Sequence, residues 1–288
     1  AHLPLDAPPQ RWFQHCSHVK NAKRKIYCAM MAACDDSLRQ LVEQLKAKQM
    51  WNDTILIVTT DNGGSPPVPG FLDSIGSNYP LRAGKGQLFQ GGVRGVGFVN
   101  GGVVPDHVRG SVVEKPLMHI VDWWPTIAHL AGAAVPSNLD GRDLWHTLVN
   151  DQSFAVRDTL PLNINHAIEY PNSGHQVGIL DADGYKLIKQ RVEGPVLNYD
   201  GWFPFNSASI PPPHNPTPGK FLFNVFADPN EHNNLYSSNH SRVLKLEQAL
   251  AEFERDYGHA QSNFFYPGAL PWFHDGVWAP FDPVLSHS

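Results

Sequence analysis

The stretch Trp51–Gly64, WNDTILIVTTDNGG, limits what this chain can fold into more than any other. Ile55, Leu56, Ile57 and Val58 form a short apolar run, Thr59 and Thr60 extend it with β-branched residues, and Gly63 and Gly64 stop it. The pattern predicts a buried strand over residues 55–60 that delivers Asp61 and Asn62 into a glycine-opened loop. Ligands of open α/β sheets sit at such strand ends. Two oxygen-bearing side chains followed by two glycines suit a hard cation or an anion-handling cleft. The same four residues are also ordinary turn chemistry, and taken alone the stretch favours the turn.

The sequence before it predicts a helix over residues 27–50. Met31, Cys34, Leu38, Leu41 and Leu45 recur at spacings of three and four, with Asp35, Arg39, Glu43, Lys46 and Lys48 mostly off that line. A helix packed on a sheet and followed directly by a strand is half of an α/β unit. Residues 65–95 have no sustained periodicity, and a loop of that length inside a compact domain is more often functional than idle. A second strand is expected at 96–99. A helix is expected at 118–131, with Pro125 in its first turn and Asp122 as its cap, and a short helix within 139–149.

Composition shifts near Asp151. Residues 175–180 and 185–189 read as strands around the turn Asp181-Ala182-Asp183-Gly184, and 193–219 as a long surface excursion rich in Pro, Asn and Gly. Another strand is expected at 220–226 and a helix at 240–257, carried by Val243, Leu246, Leu250, Phe253 and Tyr257. The aromatic, proline-rich tail from Phe264, with Trp272 and Trp278, is expected to pack across a neighbouring surface. The division implied is 1–150, a large α/β region, and 151–288, a smaller α+β region.

Function classes narrow from the bulk content. A formal charge of -5, with no basic run longer than Lys23-Arg24-Lys25, gives nucleic-acid binding little support. No apolar stretch approaches the length of a membrane span, and no signal-peptide pattern opens the chain. Cys16, Cys28 and Cys34 leave two arrangements open: one bridge plus a free thiol, or a bridge to another chain. The sequons Asn52-Asp53-Thr54 and Asn239-His240-Ser241 point to the secretory route.

Lys85, between Gly84 and Gly86 and near Arg82 and Arg94, offers a compact positive charge on backbone that a ligand can approach closely. With Asp61 and Asn62 it could form a pocket in which a cation and a lysine share the charge of sulfate or phosphate; a solvent-exposed glycine turn is the plainer reading. Neither nucleotide-cradling loop pattern is present.

The ordered blocks HLPL, WNDTILIVTTDNGG, NYPLRAGKGQLFQGGVRGVGF, DWWPTIAHLAG, DGRDLW, GYKLI and FADPNEHNNL resemble the later part of a type I sulfatase, closest to the arylsulfatase B group. The resemblance implies an alkaline-phosphatase-like α/β fold: an incomplete large mixed sheet followed by a smaller C-terminal α+β region. It implies Asp61 and Asn62 as ligands of a single Ca2+, with half of the ligands in a missing segment. By the same resemblance Lys85 contacts the sulfate and its bridging oxygen, and His2 touches the sulfate or assists the leaving group.

That family takes its formylglycine nucleophile from a Cys-x-Pro-x-Arg segment, and none of the three cysteines has this context. The expectation is therefore a C-terminal chain of a sulfate monoester hydrolase, completed by the N-terminal half of the same precursor. Its substrate would be a sulfated glycan or an aryl sulfate, and its place the secretory pathway, extracellular or lysosomal. The alternative is a catalytically silent, secreted structural or glycan-binding protein of the same fold. Two departures stand out: glycines flank Lys85 where the closest group has bulkier residues, which implies a looser lysine, and Gln90 replaces an acid before Gly-Gly-Val-Arg.

Overall fold

The computed structural model describes residues 5–67, 75–113, 117–150, 156–164, 175–191, 200–204, 218–257 and 271–277. Helix α1, Ala22–Ala47, starts earlier than its apolar spacing predicts, because the Asn21 side chain caps it by accepting the Arg24 N–H. Its N-terminal part packs on the turn Gln10–Cys16, where Cys16, Val19 and Ala29 are buried and Cys16 is bridged to Cys28. Cys34 is a free, exposed thiol. Further along, Met31 and Leu41 are exposed instead of lying on a sheet.

Strand β1, Leu56–Thr59, pairs antiparallel with β2, Gly97–Asn100. The short helix α2, Gln90–Val93, precedes β2. Helix α3, Trp123–Leu130, has Asp122 at its N-cap position, but that carboxylate makes no cap bond to α3. It accepts the His119 and Arg142 N–H groups and pairs with Arg157, so the expected cap is instead a buried cross-link. Helix α4 covers Trp145–Val149.

The remaining strands form one antiparallel sheet in the order β3-β4-β5-β6: Thr159–Asn163, His175–Asp181, Tyr185–Arg191 and Gly219–Asn224. Helix α5, His240–Tyr257, lies on one face, where Val243, Leu246 and Leu250 meet Val177, Ile179, Leu187 and Leu222. The alternate residues Leu180, Ile188, Phe221 and Phe223 point to the other face, against Ala83, Leu88 and Phe89. Both faces of the sheet are thus buried, one by a helix and one by the irregular segment that contains Lys85.

The part of the supposed surface excursion that is described turns inward: Asp200 and Phe203 are buried, and Gly201 O accepts the Ala83 N–H at 2.7 Å. Most of 193–219 and most of the tail lie outside the described residues. Trp272, within Pro271–Phe273, is 71% exposed.

Candidate functional site

Strand β1 ends as anticipated in the Asp61–Gly64 turn. Asp61 Oδ1 accepts the Asn62 N–H at 2.8 Å, and Asn62 Nδ2 donates to Gly63 O at 2.8 Å. The turn is pinned from both sides: Gly63 N–H donates to Gly92 O at 2.9 Å, and Lys85 N–H donates to Gly64 O at 3.1 Å. The two stretches singled out in the sequence are therefore hydrogen-bonded neighbours. Asp61 and Lys85 both lie at the surface. His2 lies outside the described residues.

Glycine is required where these backbones cross. A Cβ on Gly63 would fall 1.7 Å from Gly91 O, and one on Gly84 would fall 2.4 Å from Gly64 O and 2.5 Å from Pro66 Cδ. Gly84 is accordingly a point of close backbone approach and not a slack link in the chain.

Sequence reasoning missed Asn78. Its Oδ1 accepts the Gly64 N–H at 2.8 Å, while Nδ2 donates to Gly64 O and Ala83 O, each at 2.9 Å. One amide thus latches the Asp61 turn to the residues leading into Lys85. Arg82, grouped with Lys85 by sequence, turns inward: Nε donates to Asp200 O at 2.6 Å and the guanidinium lies 4.0 Å from the Phe89 ring centroid. Burial pushes its pKa down, opposed by Asp200 and Glu231.

Beneath the segment lies a sealed polar layer on the β4 and β5 face. Lys186 Nζ sits 2.5 Å from Glu231 Oε1 and donates to Leu88 O at 2.9 Å and Gln90 Oε1 at 3.1 Å. Glu231 Oε2 accepts the Gln90 N–H at 2.7 Å, and Gln176 Oε1 accepts the Leu88 N–H at 2.7 Å. Burial pushes Lys186 down and Glu231 up, and each opposes the other's shift. The departure noted at Gln90 gains a reason here: the amide serves as a neutral acceptor for a lysine that already has its carboxylate.

Asp61 and Asn62 offer two oxygen-bearing side chains, fewer than the about six to eight ligands that calcium takes. Among the described residues no group of three or more His, Cys, Asp or Glu could hold a metal ion. These two residues alone do not make a calcium shell.

The fold is an α/β sulfatase fold of the alkaline-phosphatase-like kind. Residues 4–133 match the sulfatase family model. The chain is 31% identical over 302 residues to arylsulfatase J of Mus musculus, covering 97% of this chain and 48% of that protein. It is 32% identical over 133 residues to N-acetylgalactosamine-6-sulfatase of Homo sapiens, covering 44% of this chain and 24% of the relative. The crystal structure of Ps i-CgsB in complex with k-i-k-neocarrahexaose aligns with a TM-score of 0.67 at 25% identity, over 92% of this chain and 49% of that one. The chain spans about half the length of arylsulfatase J.

These matches correct four expectations. The family segment begins at residue 4 and the alignment to arylsulfatase J runs along nearly all of this chain, so the reading as the C-terminal part of a sulfatase closest to the arylsulfatase B group is replaced by a sulfatase segment at 4–133 within a chain matched almost throughout. With that segment in this single chain, reliance on an N-terminal half of the same precursor is set aside. So is the placing of formylglycine and half of a Ca2+ shell in a missing segment.

Proposed function

We propose that the Asp61–Gly64 and Gly84–Gly86 turns form the sulfate pocket of a sulfuric ester hydrolase. The observation that carries this reading is the Lys85 N–H bond to Gly64 O, which joins the acidic turn to the lysine turn. In this reading Lys85 places its ammonium against the sulfate and the bridging oxygen; as the S–O bond breaks, the sulfuryl group passes in the net reaction to water and leaves as sulfate, and His2 supplies a proton to the departing alkoxide. Asp61 and Asn62 are the two oxygen donors the pocket offers to a divalent cation. The substrate is proposed to be a sulfated glycan, the class named in the human relative, N-acetylgalactosamine-6-sulfatase.

Inorganic sulfate titrated into the purified chain tests the pocket. Lys85→Ala is expected to weaken binding at least about tenfold, a difference of roughly 1.4 kcal/mol. Unchanged affinity would remove Lys85 from the site. Preference for phosphate over sulfate monoesters would replace the sulfatase reading by a phosphatase one.

The chain is also proposed to divide near residue 150 and to pass through the secretory pathway to an extracellular or lysosomal destination. No described helix is long and apolar enough to cross a membrane. The Cys16–Cys28 bridge and the two sequons support an oxidising route. Asn52 is exposed, whereas Asn239 Oδ1 accepts the Arg242 N–H and caps α5. Peptide mapping after enzymatic glycan release from secreted material is expected to mark Asn52; an unmodified Asn52 would count against the route.

A further inference from the structure

Lys186 and Glu231 are fully buried, and between them they hold both sides of the segment that follows Lys85. Lys186 takes Leu88 O and Gln90 Oε1, and Glu231 takes the Gln90 N–H. These anchors fall three and five residues beyond Lys85, across 98, 96 and 141 residues of sequence. Glu231 also adopts a left-handed backbone, φ 59, uncommon for a non-glycine residue.

A sealed ion pair is a poor way to gain stability, because well-packed apolar side chains of similar volume generally serve as well or better. What apolar side chains cannot supply is direction. Each bond to Leu88 and Gln90 fixes where a particular backbone or amide atom lies, and so fixes the exit of the Lys85 turn from the sheet. Gln176 and Gln190 extend the layer without adding charge, Gln176 Nε2 donating to Gln190 Oε1 at 2.9 Å and also to Gln87 Oε1.

We propose that the Lys186–Glu231 pair is a positioning device for Lys85, setting the geometry of the oxyanion pocket from beneath. The proposal rests on Lys85 contacting the oxyanion. Neither buried residue touches substrate; they act through Leu88 and Gln90.

The test is a double-mutant comparison on the full chain, with inorganic sulfate as the probe. The variant Lys186→Met with Glu231→Leu removes both charges at similar volume. It is expected to keep a cooperative melt while sulfate affinity falls at least about tenfold. Adding Lys85→Ala to it should cost little more, because the lysine is already misplaced. A folded double variant that binds sulfate as tightly as the parent, while Lys85→Ala in the parent binds poorly, overturns the positioning role and leaves the pocket intact. Unchanged binding by Lys85→Ala in the parent instead overturns the pocket reading itself. If the double variant does not fold, Gln90→Leu decides, since it removes one acceptor of Lys186 and leaves the pair charged. A folded Gln90→Leu protein with parental sulfate affinity then overturns the proposal, and a weakened one supports it.

Discussion

Gly63 shows how closely the site depends on single atoms. Its Cα faces Gly91 O so closely that a methyl group would overlap the carbonyl. Gly63→Ala must separate the β1 turn from α2, and the expected cost is about 1–3 kcal/mol or somewhat more. Denaturant melts of the variant would check this, and unchanged stability would mean that the crossing is wider than described. At this scale the sequence was informative where chemistry is local. Asp61, Asn62 and Lys85 are recognisable because glycines adjoin them. Asn78 was invisible, because its partners Gly64 and Ala83 are defined only once the intervening chain folds back. Arg82 was misjudged for the same reason: its partner Asp200 is 118 residues away.

Among the elements, α5 was readable to both its ends, because one apolar stripe faces one sheet and nothing competes with the period. Leu246, fully buried in that stripe, is expected to cost about 2–5 kcal/mol when replaced by Ala, measurable as a shift in the denaturation midpoint. Strand β3 was missed. Pro161 interrupts its pattern, and proline argues against a central strand, but β3 lies at the edge of the sheet, where a missing donor is tolerated. The early start of α1 was hidden by the polar run Lys23-Arg24-Lys25, since the cap at Asn21 and not apolar spacing sets that end.

For the whole molecule, the proposed boundary near residue 150 cuts the chain without cutting its core. Leu88 and Phe89 share one apolar cluster with Leu180, Ile188 and Phe221, and Lys186 bonds to Leu88 and Gln90 beneath it. A chain severed by an engineered protease site at residue 150 is therefore expected to elute as one species in native chromatography and to separate only in denaturant. Separation under native conditions would show two independent units.

The four-stranded sheet carries α5 on one side and the Lys85 segment on the other. A plate loaded on both surfaces passes a disturbance from one to the other, so drift in the helix on one face would shift the Lys85 segment on the other. Substitutions gathered for solubility or thermal tolerance along α5 would then act as silent editors of affinity.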